Sequence, residues 1–441
     1  MKRAVALLLA LTVLASAELV WAHRAVGGSA EAVELYETVL FGERENAAGV
    51  EVYLPAECMD RLFWDSTVSI ASENTVKTSF RLSRYGESME EEYEPHANIR
   101  LDVSDNLSGD ARAPGELLTL ISDAASRAPA GEQYSESVCL RDYYEYMPMY
   151  VEVGRFSYPD AQQADGQELE RQLGEIFKIP VPEDYQIRVS MEKSLSGEII
   201  SWSVEPEREE LSAWLDCYSA ETDYGIWFTA HLDTQSDELE CAGADKLWLY
   251  PFSGDVAEPV CVMDLEPSET VMCLEADAHG RLLMPVNRDG TAYMHVMDAD
   301  GDCAQTVKLM ELSGDDWINR LYIYEDFVLA LSAEKLFTLA ELTDGGYRAC
   351  LSGELYAPEG KYIYANNDMV LSWDGRRLAM ASRLYGISYM STREAVGFLL
   401  WVYDEAGLAC CARYESSLCL PEAASWSMNT QCRAGIELYI G

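Results

Sequence analysis

Basic side chains are scarce in this 441-residue chain: 32 lysines and arginines stand against 76 aspartates and glutamates, a formal charge of −44. Phosphate backbones and anionic headgroups are held by cations, so nucleic acid and anionic membrane surfaces are excluded as expected partners. Histidine is also rare. The five are His23, His96, His231, His279 and His295, and none pairs at a metal-binding spacing. No C-x-x-C occurs, which removes the usual zinc and dithiol redox spacings. The nucleophile elbow, the zincin helix, the phosphate loop and the dinucleotide glycine motif are all missing. No cofactor is therefore expected. Beyond the N-terminus no apolar run approaches the ~18 residues of a membrane-spanning helix.

What the chain does have is apolar bulk. Hydrophobic residues make up 49% and aromatics 10%, unlike an acidic disordered tail. A large core is expected, with the charge on its outside. Met1, Lys2 and Arg3 precede an uncharged, mostly apolar run ending in Ala15-Ser16-Ala17. That pattern predicts a secretory signal over residues 1–17; the alternative is an uncleaved membrane anchor reaching Ala22. Either way the expected location is extracytoplasmic, secreted or anchored in a bacterial-type envelope. Of twelve cysteines, ten lie from Cys217 onward, several inside apolar runs such as Val260-Cys261-Val262 and Met272-Cys273-Leu274. A cysteine in such a run behaves as a small buried hydrophobe, so mostly free thiols are expected.

The patterning divides the chain into an α+β domain over 30–182 and a β-rich domain over 186–441. In the first, a short helix is predicted over about 30–43, followed by strands at 50–54, 66–71, 78–82 and 99–103. Better helices are expected over 115–127 and 160–178, where Leu117, Leu118, Leu120, Ile121 and then Leu169, Leu173, Ile176, Phe177 form apolar stripes. In the second, short β-rich runs alternate with turns. The apolar pairs Leu282-Leu283, Val328-Leu329 and Val370-Leu371 recur at about 40–50 residues, and each is followed by an acidic or glycine turn: Asp298 to Gly301, Thr343 to Gly346, Asp404 to Gly407. Strands at 186–191 and 198–204 are expected to pair with the C-terminal tail and close the repeat.

Four strands per repeat resembles the layout of the β-propeller class, similar to WD40-like and quinoprotein-like repeats. The resemblance rests on period and turn placement; the paired dipeptides of true WD40 blades do not recur. It implies a mainly β fold with an α+β N-terminal domain and a propeller-like domain of about five blades. A β-sandwich array is the alternative.

Few residues stand out for chemistry. Asp298, Asp300 and Asp302 offer oxygens at alternate positions, as the start of a Ca²⁺ loop does. The loop fails further on, where Cys303 takes the glycine place and Leu309 the bidentate carboxylate place. A hairpin turn is the expected reading, and no metal. Asn287-Arg288-Asp289-Gly290 reads as a type I′ turn. Trp317 and Trp373 sit beside turns and are the candidate ligand-binding residues. No catalytic residue can be named. The expected function is a non-enzymatic scaffold that binds a protein or glycan partner; the alternative is a secreted glycosidase-type hydrolase with carboxylates gathered in a propeller funnel.

Overall fold

The computed structural model describes residues 11–18, 20–21, 24, 34–58, 62–71, 74–82, 97–103, 117–155, 163–207, 213–234, 238–252, 258–298, 301–357, 362–364, 369–386, 393–421 and 432–441. The first residues of the expected signal lie outside them. Among the described residues no helix is long and apolar enough to cross a membrane.

After helical residues 11–18, the chain runs through β1 (Leu35–Gly42), β2 (Val50–Cys58), β3 (Leu62–Ser69) and β4 (Thr75–Leu82). There follow β5 (Ala97–Val103), helix α1 (Leu117–Arg127), β6 (Gln133–Cys139), β7 (Met149–Arg155), helix α2 (Gln163–Ile176), β8 (Gln186–Lys193) and β9 (Ile199–Pro206). Next come β10 (Ala213–Thr222), β11 (Gly225–Thr234), β12 (Lys246–Pro251) and β13 (Val260–Asp264). The next group is β14 (Glu269–Val271), β15 (Glu275–Ala276), β16 (Leu282–Arg288), β17 (Thr291–Met297) and β18 (Cys303–Glu311). Then β19 (Ile318–Ile323), β20 (Phe327–Ser332), β21 (Leu336–Thr343) and β22 (Gly346–Glu354). The chain finishes with β23 (Tyr362–Tyr364), β24 (Val370–Trp373), β25 (Leu378–Gly386), β26 (Arg393–Asp404), β27 (Gly407–Pro421), β28 (Cys432–Ala434) and β29 (Glu437–Ile440).

The fold is mainly β and propeller-like in its repeats: the described residues contain five antiparallel sheets of four or more strands. Each of the repeats from β10 to β22 is an up-and-down run of neighbouring strands. Their second strands open with buried, mostly apolar runs, as in Leu282 to Val286 of β16 and Phe327 to Leu331 of β20, because neighbours cover them on both faces. The expected acidic and glycine turns do join the third and fourth strands of their sheets, at 298–301, 343–346 and 404–407. The apolar pairs are less regular. Leu282-Leu283 and Val328-Leu329 lie on second strands, but Val370-Leu371 lies on β24, a first strand; the true counterpart starts at Leu378 on β25.

The chain forms two compact units, residues 1–92 with 353–441, and residues 93–352. Strand pairing is the reason for this division. In the first unit, β1 pairs antiparallel with β27, and β2 pairs with β28 and β29. Both ends of the chain are thus sewn into the same unit. Residues 35–42 are a strand, not the expected helix: the ladder to β27 fixes Leu35 opposite Ser416 and overrides helical propensity. Val50, Val52 and Val68 pack with Ala381, Phe398, Leu400 and Tyr414 in one core.

In the second unit the helical stretch is not a separate domain. Leu120 of α1, Leu169 and Leu173 of α2, and Ile187 and Val189 of β8 share one core with Ala213, Phe228 and Tyr250 of the sheet β10–β13. The strands expected to meet the C-terminal tail, β8 and β9, instead join β6 in a three-stranded sheet. Their apolar face is spent on α1 and α2, which leaves β2 to receive the tail.

Candidate functional site

The densest polar cluster among the described residues lies on the sheet β14–β18, in the second unit. Glu269 opens β14, and its carboxylate is almost wholly buried. Its Oε1 accepts from Arg288 Nε at 2.9 Å and from Arg288 Nη2, and it meets His295 Nε2 at 3.1 Å. Burial alone would raise the Glu269 pKa, but the hydrogen bonds from Arg288 and His295 outweigh it and hold the carboxyl below the ordinary range. A carboxylate acceptor at Nε2 fixes the imidazole proton there, leaving Nδ1 of the neutral ring as an acceptor.

Two groups face that nitrogen from β18. Thr306 Oγ1 is 2.8 Å away, and the Cys303 Sγ 3.7 Å. A β-bulge brings the thiol into place. Val296 stands opposite Gln305, but Met297 stands opposite Cys303, so Ala304 is the extra residue and Cys303 shares the face of His295. Cys303 is exposed, whereas His295 is buried. Thiol, imidazole and carboxylate therefore stand in the order of a nucleophile, its base and the group that orients the base.

The residues singled out from sequence fall elsewhere. Trp317 is 53% exposed at the entrance to β19. Its backbone is held at both ends: Asp316 Oδ1 accepts Trp317 N–H at 3.0 Å, and Ala333 N–H donates to Trp317 O at 2.9 Å. Trp373 is half-buried and is the last residue of β24. The two tryptophans thus sit at opposite ends of corresponding first strands, in different compact units. Asp298 serves the turn, accepting Asp302 N–H on Oδ1 at 3.0 Å, while Gly301 adopts φ +87°. Asp300 lies outside the described residues. Among those described, no group of three or more His, Cys, Asp or Glu could hold a metal ion. Asp289 and Gly290 have φ of 52° and 80°, as a type I′ hairpin turn requires.

A second acidic anchor, Asp277, was also not legible. Its Oδ1 accepts the N–H groups of His279 and Arg281, and its Oδ2 accepts from Arg281 Nε and from Tyr347 Oη at 3.0 Å. Asp374 repeats the turn, accepting from the N–H groups of Arg376 and Arg377 and from Arg377 Nε. These carboxylates are saturated and clamp hairpins; they offer no free oxygen to a substrate. The sequence signal is Asp followed three or four residues later by Arg-Leu, and it repeats at 277 and 374.

No protein-family model matches the chain, and no curated protein does. Among solved structures, the chain is similar to a protein from Lactobacillus plantarum, at a TM-score of 0.27 and 10% identity over 85% of this chain and 97% of that one. A virginiamycin B lyase from Staphylococcus aureus aligns at a TM-score of 0.24 and 9% identity, over 87% of this chain and 99% of that one. A functionally unknown protein from Desulfotomaculum acetoxidans gives 0.25 and 9%, over 81% and 93%. Likenesses at these scores carry neither an activity nor a residue across.

Proposed function

We propose that the chain is a non-enzymatic binding protein that works outside the cytoplasm and presents turn-borne aromatic side chains to a glycan or protein partner. The observation that carries this reading is Trp317. An indole left 53% exposed forgoes burial worth about 1.5–3 kcal/mol for a large apolar side chain. Its backbone is nevertheless fixed by Asp316 and Ala333. A rigid exposed ring loses little conformational freedom when a flat apolar surface stacks on it, which is the economy of aromatic-rich binding sites. Asp315 and Asp316 precede Trp317 in sequence, and Glu334 is tied to the same turn, accepting from Ser313 Oγ and donating its own N–H to Asp316 Oδ1. That acidic setting favours neutral sugars or cationic peptides over anionic ligands. The N-terminal pattern of basic residues, apolar run and small-residue site supports the location.

The test is affinity electrophoresis of the full chain and of Trp317→Ala through gels containing neutral xylan, mixed-linkage glucan or polylysine. Retardation of the native chain by one of these, abolished in Trp317→Ala with an unchanged melting temperature, is the expected result. Equal mobility of both proteins in all gels would remove the binding role from Trp317. Release of reducing ends from either polysaccharide would replace the reading with the hydrolase alternative.

A further inference from the structure

We propose that Cys303 is a thiol reaction site, with His295 as its base, that exchanges with small uncharged or cationic disulfides to form a mixed disulfide on β18. The proposal does not depend on the partner assigned to Trp317. It rests on the geometry of one sheet. The thiol is exposed, so a disulfide can reach it. Its sulfur is 3.7 Å from His295 Nδ1, and the ring behind it is locked by the 3.1 Å contact of Nε2 with Glu269. Thr306 Oγ1 lies 2.8 Å from the same Nδ1 and 3.7 Å from the sulfur, close enough to donate to either.

The step balances without any further reagent. His295 Nδ1 accepts the Cys303 S–H proton, and the thiolate attacks one sulfur of R–S–S–R. A Cys303–S–S–R bond forms, the S–S bond of R–S–S–R breaks, and the leaving R–S⁻ takes the proton back from the imidazolium. Glu269 matters because the imidazolium formed midway sits against a buried carboxylate already ionised in the resting state. Arg288 shares that carboxylate from the exposed side, so the imidazolium does not have Glu269 to itself. Asp302 precedes Cys303 in the chain and donates its N–H to Asp298 Oδ1 in the turn before β18. A chain carrying −44 repels anionic disulfides, which sets the substrate class.

Cys261 is the built-in control. It is the other exposed free cysteine among the described residues; both sulfurs meet the carbonyl two residues on, Cys261 at Met263 O (3.9 Å) and Cys303 at Gln305 O (3.4 Å), and Cys303 has the imidazole of His295 beside it as well. The experiment treats the full chain with cystamine at pH 6.5, quenches with acid and maps the mixed disulfides by peptide mass spectrometry. Cys303 should be modified about ten-fold faster than Cys261, as expected when a neighbouring base takes the thiol proton during the attack. His295→Gln should bring Cys303 down to the Cys261 rate and leave Cys261 unchanged. Thr306→Val removes the competitor for Nδ1 and should raise the Cys303 rate, which decides the matter if His295→Gln does not fold by circular dichroism. Oxidised glutathione, an anionic disulfide, should react more slowly than cystamine at low salt, with the gap narrowing at high salt. Equal rates at Cys303 and Cys261 in the native chain would overturn the proposal, as would an unchanged Cys303 rate in folded His295→Gln.

Discussion

The strands β13 and β18 are built alike and surrounded differently. Each is the last strand of its sheet, and each carries an exposed thiol near its start, Cys261 and Cys303. Both use the same one-residue bulge. In β13, Leu247 stands opposite Met263 and Trp248 opposite Cys261, leaving Val262 extra; in β18, Ala304 is extra. Three residues beyond each thiol the pairs are Lys246 opposite Asp264 and His295 opposite Thr306. The backbone device is therefore common to both sheets. Only the partner strands decide whether the thiol meets a stacked tryptophan and an exposed ion pair or an oriented imidazole. Behind β13 the sheet is apolar, with Trp227 buried and its Nε1 donating to Thr222 Oγ1 at 3.0 Å. Behind β18 it holds Glu269.

The largest effect should come from the apolar sheet. Trp227→Ala empties a fully buried site and should cost about 3–5 kcal/mol in urea unfolding; a loss under about 1 kcal/mol would mean that this sheet does not depend on its core as β14–β18 depends on its ion pair. Glu269→Gln comes next, at about 1–3 kcal/mol, because it leaves Arg288 and His295 facing a neutral amide. The loss has a pH signature. The folded carboxyl titrates below its unfolded value, so its contribution is present above the ordinary carboxylate range and disappears as pH falls through the depressed folded value. Stability of Glu269→Gln should therefore converge on that of the native chain at acid pH. Parallel acid profiles would show that Glu269 is not the ionised anchor.

Thr222→Val orphans the Trp227 indole N–H and should cost about 1–2 kcal/mol, by the same measurement. The smallest effects belong to the thiol strands themselves. Lys246→His places an imidazole at the position corresponding to His295 and gives up only a 3.5 Å ion pair whose Asp264 carboxylate lies largely in solvent. It should raise cystamine labelling of Cys261 about three-fold, short of Cys303, because among the described residues the sheet β10–β13 has no buried carboxylate like Glu269. A Cys261 that matches Cys303 would show that the buried carboxylate contributes nothing.

The fold was legible where local chemistry decides it. Asp289-Gly290 announced a type I′ turn, and the stripes of Leu117 to Ile121 and Leu169 to Phe177 announced α1 and α2. It was illegible where distant strands decide it. Leu35–Gly42 carries no sign that β27 awaits it, and β8 carries none that it pairs with β6. The polar cluster was hidden for the same reason: Glu269, Arg288, His295 and Cys303 come from four strands, and no spacing between them repeats. Trp317 could be found from sequence because a tryptophan beside Asp315 and Asp316 has little apolar company to bury it.

The pairing of β1 with β27, and of β2 with β28 and β29, has a consequence in time. Residues 93–352 contain all the partners their sheets need, so that unit can form as soon as they have emerged from the ribosome. Strand β1, and the edge of β2 that is not taken by β3, must wait for partners some 380 residues later. Closing a span that long is a slow step. Synthesis therefore leaves these early strands with an open edge until β27, β28 and β29 have been made.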